Sequence, residues 1–226
     1  MLRQLQVLII AALPAFPMSL VATDASLLKP PAGAPVALAL FQDLQDPECA
    51  RALAIVSEAA AAHGIPLMLH DFPLPRHNWA FEAAVWARYF DRTSPALGNE
   101  FRKFIYANQN QITHDNLQQW VQKLGDSNKA SVALSSDLSD KLAKQVKADF
   151  ALGQRIGVEH PLTIWVVSNN GVSQPVVDEV KDRSQLNQMI EDMQKKAQAA
   201  APEKSISPQS GTPRKKSASK IIRKAG

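Results

Sequence analysis

One cysteine in 226 residues excludes an intramolecular disulfide, a cysteine-ligated zinc site and a thiol pair working in redox exchange within the chain. Glycine is scarce as well, nine in all, and no glycine-rich loop of the kind that cradles a phosphate or a dinucleotide is present. No Ser-His-Asp motif is found. Beyond the N-terminal segment, no run is long and apolar enough to span a bilayer. With 46% hydrophobic and 20% charged residues, wholesale disorder is excluded, and the length suits one domain with appendages. The formal charge of +4 is unevenly placed. From Ala201 onward there are seven basic residues (Lys204, Arg214, Lys215, Lys216, Lys220, Arg223, Lys224) against Glu203, which leaves the rest of the chain at −2.

What is there begins with an address. Met1–Gln6 carries Arg3 and no acid, Val7–Ala22 is apolar, and small residues follow at Ala22 and Ala25. That is the layout of a secretory signal peptide over residues 1–25, cleaved after Ala22 or Ala25. The apolar stretch contains Pro14 and Pro17 and is shorter than the roughly 20 residues of a spanning helix. The mature protein is therefore expected to be exported, periplasmic or extracellular. In that setting a solitary cysteine is unusual, because exported proteins carry cysteines in pairs.

The Pro-rich and small residues 26–35 read as a linker, and 36–200 as the folded body. Val36–Asp43 is a short apolar run suited to a buried strand. Asp46-Pro47-Glu48 then gives a helix start: an acid able to cap free amides, a proline suited to the first helical position, and an acid at the positive end of the dipole. This helix runs to about Ala62 and ends at His63-Gly64. Pro66–Phe72 is a second strand, completing a βαβ unit. Helical spacing of apolar residues follows at 78–91 (Trp79, Ala83, Trp86, Ala87, Phe90), 100–108 (Phe101, Phe104, Ile105), 115–124 (Leu117, Trp120, Val121, Leu124) and 136–156 (Leu138, Leu142, Val146, Phe150). Strands return at Leu162–Val167 and Gln174–Val177 around the turn Ser168-Asn169-Asn170-Gly171, and Arg183–Gln198 is a closing amphipathic helix. Residues 201–226 are expected to be a basic disordered tail.

Five histidines (His63, His70, His77, His114, His160) raise the question of a metal. None pair at i, i+4 or sit in a ligand motif. Cys49, Asp46 and His160 have suitable ligand chemistry, but no metal or cofactor is assigned. The basic tail is expected to make at most weak contact with an anionic envelope surface, and no nucleic acid is expected as a partner.

Four segments carry a resemblance. FQDLQDPEC (Phe41–Cys49) resembles the active-site segment of DsbA-like thioredoxin-fold proteins, where a strand ending in Phe-x-Asp runs into Cys-Pro-x-Cys. HDFPLPRHNWA (His70–Ala80) is similar to the family's Asp-Phe-Pro-Leu-Pro-x-His stretch, and FIYANQ (Phe104–Gln109) to its helical-domain motif. GVEHPLTIWVVSNNG (Gly157–Gly171) is similar to the stretch bearing its cis-proline loop. The resemblance covers about residues 36–180. It implies an α/β thioredoxin-like fold, βαβ followed by ββα, with a helical domain inserted at about 77–157.

The departures bear on function. The position of the first, nucleophilic cysteine is Asp46, while Pro47, Glu48 and the second cysteine, Cys49, complete the motif. A carboxylate can use the helix dipole, but it cannot form a mixed disulfide. Leu162 stands at the expected cis-proline position and Pro161 before it; either Pro161 takes the cis role or the cis bond is absent, since a non-proline cis bond costs about 3 kcal/mol. The resulting expectation is a protein related to thiol–disulfide oxidoreductases that lacks dithiol chemistry and serves as a non-redox peptide- or protein-binding module. Its groove would lie between Asp46–Cys49 and the loop His160, Pro161, Leu162, Thr163, with Leu162 or Thr163 supplying backbone groups to an extended segment. The alternative is a monothiol oxidoreductase or isomerase using Cys49 as its catalytic residue. A further reading is a scaffold whose helical insert binds the partner.

Overall fold

The computed structural model describes residues 24–173, 175–177 and 183–200. Residues 1–23, on which most of the expected signal peptide falls, Gln174, residues 178–182 and the tail 201–226 with its expected disorder lie outside the described residues. Strand β1 (Val36–Gln42) is buried along its whole length. Its alternation feeds two cores: Val36, Leu38 and Leu40 face one, and Ala37, Ala39 and Phe41 the other. A strand covered on both faces needs apolar residues at every position, which is why it reads as a continuous run.

After β1 comes α1 (Pro47–Ala62), which ends at His63 with Gly64 at φ +61° and the Ile65 amide returning to the Ala60 carbonyl at 3.0 Å. Strand β2 (Leu67–Asp71) then lies parallel to β1, with Gln42 opposite Asp71. Four helices follow: α2 (Ala80–Thr93), α3 (Pro95–Asn108), α4 (Leu117–Ser127) and α5 (Ser136–Arg155). Strand β3 (Thr163–Ser168) runs antiparallel on the other side of β1, and α6 (Arg183–Ala199) closes the body.

The strand order is β2-β1-β3, with two short segments, β4 (Gly171–Val172) and β5 (Val176–Val177), both pairing with β3. The hairpin expected at Ser168–Gly171 is present, but its return strand starts at Gly171, earlier than 174, and is interrupted. From Val172 to Val176 the chain advances four positions while the partner strand moves three, from Val167 to Ile164. That extra residue is a bulge. Ser173, ahead of the slip, still keeps the β3–β4 register, its amide donating to the Val166 carbonyl (2.8 Å) and its Oγ accepting from the Val166 amide (3.0 Å).

Two further expectations are corrected. Helix α3 begins at Pro95 rather than Glu100, because Ser94 caps it, its Oγ accepting from the Leu97 amide at 3.1 Å with Pro95 in the first turn. Residues 26–35 are not a free linker: Leu28 is 2% exposed and packs with Ala37, Ala39 and Trp165. One apolar residue among prolines has no period to reveal it. The inserted helices also share the sheet's core, since Phe90, Phe101 and Ile105 belong to the same buried cluster as Leu38, Leu40 and Val56. Among the described residues no helix is long and apolar enough to cross a membrane.

Candidate functional site

The residues between β1 and α1 do what a helix start requires. Asp46 has extended backbone (φ −88°, ψ 122°), and its carboxylate accepts from the Glu48 amide at 2.8 Å; Pro47 takes the first turn. Glu48 lies at the positive end of the helix and pairs with Arg51 on the surface. Cys49, three residues after Asp46, faces inward, 1% exposed, among Leu53, Val56 and their neighbours. The Asp43 amide donates to its Sγ at 3.4 Å. Burial pushes the thiol far above its ordinary value, the Asp46 and Asp43 carboxylates push the same way, and hydrogen bonds from the Asp43 and Leu162 amides oppose them without prevailing. Exchange chemistry needs a thiolate, and here the thiol stays protonated at neutral pH.

On the facing loop, the peptide bond before Pro161 is trans, and Leu162 takes the left-handed conformation at φ +62°. That conformation costs a non-glycine residue about 1–2 kcal/mol. It turns the chain into β3 with the Leu162 side chain in the core, 2% exposed. The Leu162 amide donates to the Phe41 carbonyl at 2.9 Å. Thr163 lies between two strands, with Phe41 and Val177 as partners, and its Oγ1 donates to the His160 carbonyl at 2.7 Å. The Leu162 amide is therefore spent within the sheet, and Thr163 is flanked by a strand on each side. The structure brings Cys49 and Leu162 together, buries Pro161 and leaves His160 exposed. Among the described residues no three His, Cys, Asp or Glu side chains converge as a metal-ligand set.

Sequence reasoning passed over the residue that organises this turn. Asp43 has a side chain 0% exposed, yet it is a carboxylate. Its Oδ1 accepts from the Gln45 amide at 2.7 Å, and its Oδ2 accepts from the Leu74 amide at 2.7 Å and meets His77 Nδ1 at 2.7 Å. Burial raises its pKa, and these three partners hold the rise down. Beside it, Gln45 Oε1 accepts from the Trp79 amide at 3.0 Å, so the turns 43–45 and 74–79 are stapled twice. Helix α3 adds a third hold. Tyr106, buried, donates its hydroxyl to Gln42 Oε1 (3.0 Å), and Gln109 Nε2, just past α3, donates to the carbonyls of Leu44 (2.9 Å) and Asp46 (3.1 Å). Three of the resembling segments thus meet at one place. The signal was available: Asp43 is the acid of Phe-x-Asp, and His77 the histidine seven residues after His70.

A second polar cluster sits behind β2. Arg88 Nε donates to Asp71 Oδ2 at 2.6 Å and Arg88 Nη2 pairs with Asp149, whose Oδ1 meets His70 Nδ1 at 3.1 Å. Burial alone would raise Asp149, but the His70 bond and the Arg88 charge hold it below the usual carboxylate range. For Asp71, burial outweighs Arg88 and its pKa goes up.

A cavity of about 390 Å³ opens next to the Asp43–His77 pair, between the turn 73–78, the start of α2 and α5. Its walls include Leu74, His77, Phe81, Lys147 and Phe150.

The family model described as Thioredoxin matches residues 31–206. No curated protein matches the sequence. Solved structures share the fold. Wolbachia pipientis α-DsbA1 superposes with a TM-score of 0.58 at 15% identity, covering 77% of this chain and 97% of that one. The catalytic domain of Proteus mirabilis ScsC gives 0.56 at 16% identity, covering 73% and 86%. Wolbachia pipientis α-DsbA2, a thiol-disulfide exchange protein, gives 0.57 at 14% identity, covering 73% and 85%. With its sheet order, its helices inserted between β2 and β3, and a helix start at Asp46 where the redox motif would lie, this chain belongs to the thioredoxin family and has the fold of its DsbA-like members.

Proposed function

We propose that this protein is an exported relative of thiol–disulfide oxidoreductases that does no dithiol chemistry and binds an extended peptide or an exported protein partner. One observation carries the reading. The reactive position is a capping carboxylate over a thiol that is 1% exposed, while the turns that frame that position are held by a full set of hydrogen bonds. A scaffold whose chemistry is gone and whose frame is kept is suited to binding. Because the Leu162 amide is spent on Phe41 and Thr163 lies between two strands, recognition in this reading falls mainly to side chains and to the surfaces flanking the helix start rather than to strand addition at that loop. The monothiol alternative needs an accessible, ionisable Cys49, and the burial of Cys49 weighs against it.

The test is a peptide array probed with the mature protein, in parallel with turnover of a mixed-disulfide substrate. Binding that is unchanged by reductant and by Cys49→Ala, with no turnover, is the expected result. Turnover that vanishes in Cys49→Ser would overturn the reading, as would binding that depends on Cys49. Export is checked on the protein recovered from cells: a mature N-terminus at Thr23 or Ser26 is expected, and recovery of the uncleaved chain in the cytoplasm sinks that part.

A further inference from the structure

The cavity beside the Asp43–His77 pair has a chemical character of its own. Its floor and walls are apolar: Leu74 is 9% exposed, and Phe150 is stacked on Phe72 with ring centroids 4.5 Å apart. Phe81, 36% exposed, is one of two large hydrophobic side chains left open to solvent among the described residues. Besides the Asn78 carboxamide, two titratable nitrogen functions interrupt this surface. Lys147 Nζ stands 5.9 Å from the Phe81 ring centre, and no carboxylate pairs with it among the described residues. His77 has Nδ1 committed to Asp43, so Nε2 is the ring nitrogen left for a ligand. No acid lines the cavity, and both Asp43 oxygens are taken up by their own partners. The walls are also preformed. Leu74 and His77 are tied to Asp43, the Trp79 amide is tied to Gln45, and Pro73 and Pro75 restrict the turn. A rigid apolar cavity with an ammonium at its wall that no described carboxylate pairs, and an imidazole nitrogen beside it, selects an apolar anion, and about 390 Å³ lies within the range of small-molecule sites.

We propose that this cavity binds an apolar monocarboxylate, either a free aromatic or branched acid or the carboxy-terminal residue of a peptide. The hydrocarbon lies between Leu74, Phe81 and Phe150, and the carboxylate meets Lys147 and His77 Nε2. Asp43, bonded behind the ring, supplies the counter-charge when the imidazole is protonated and fixes its orientation. This site is separate from the helix start and the His160–Thr163 loop, and it goes beyond the proposed binding role by naming a ligand.

The test is an amide-resolved NMR titration of the full mature chain with 3-phenylpropionate and its amide, and with acetyl-Ala-Phe bearing a free or an amidated terminus. The expected result is saturable binding of both acids on the order of 1 mM, with each amide about fivefold to tenfold weaker. Shifts should centre on residues 74–81 and 147–150. Tighter binding of the free-terminus peptide than of phenylpropionate identifies a peptide end as the source, and the reverse identifies a small acid. Lys147→Glu, on an exposed position, should weaken the acids about tenfold and leave the amides unchanged; Phe81→Ala should weaken all four. Equal affinity of acid and amide, no saturation up to about 10 mM, or indifference to Lys147→Glu would overturn the site. Shifts confined to Asp46–Cys49 and the 160–163 loop would overturn it too, while leaving the proposed binding role standing.

Discussion

Asp43 and Asp46 are the same residue type three positions apart, and the fold uses them in opposite ways. Asp46 is partly exposed and does one local job, capping α1. Asp43 is sealed from solvent and ties two turns of the chain together through two amides and an imidazole. The comparison separates what a thioredoxin-type turn needs for chemistry from what it needs to stand. The reactive position tolerates a carboxylate because a helix N-terminus welcomes one. The position below it is architectural, because a buried acid is tolerable only with all its partners in place.

Breaking that comparison should show its asymmetry. Asp43→Ala leaves the Leu74 and Gln45 amides and the His77 ring without their acceptor, and should lower unfolding free energy by about 3–5 kcal/mol in urea titration. Arg88→Met tests whether Asp71, at the end of the neighbouring strand, obeys the same rule. It strips a carboxylate 1% exposed of its guanidinium, and should cost about 3 kcal/mol by the same measurement. Losses below about 1 kcal/mol in either variant would mean that these acids are held neutral or reached by water.

Asp149 sharpens the comparison in pH. Its pKa is depressed in the folded protein, so its contribution is present above the unfolded value near 3.8 and is lost as pH falls through the lower folded value. Asp149→Asn should therefore cost about 1–2 kcal/mol at pH 7, with the gap to the parent closing below about pH 4. Asp43 has the opposite sign. Its raised pKa means that ionisation opposes folding at neutral pH, and the opposition fades on acidification towards 3.8. The smallest effect belongs to Asp46: Asp46→Ala removes one cap and should cost about 1 kcal/mol. Asp46→Cys should cost no more, while restoring Cys-Pro-Glu-Cys; after mild oxidation, intact mass and thiol counting should show a disulfide with Cys49. Two free thiols after oxidation would mean that the turn no longer holds the redox geometry.

Much of this was readable from residues alone, for identifiable reasons. Asp46-Pro47 announces α1 through capping and fixed φ, both local effects. The apolar stripes of α2, α4 and α6 name their buried faces through a 3.6-residue period. Ser94-Pro95 carried an equally local signal that apolar spacing overshadowed, so α3 was placed five residues late. Leu28 and the slip in pairing between Val172 and Val176 had no local signal, because burial of a lone leucine and a one-residue slip in pairing are decided by the partner.

Composition and order by themselves determined that the chain lacks a dithiol, that it alternates strand, helix and strand around a run of helices, and that an acid able to cap opens the first helix at Asp46. These follow from covalent identity and from periodicity, which short segments express unaided. Only the tertiary structure decided that Cys49 is buried, that the bond to Pro161 is trans and Leu162 after it turns through a left-handed conformation, and that Asp43 meets His77 from 34 residues away. Each of those depends on which surfaces close over a group and exclude water, and no segment settles that until its distant neighbours are packed against it.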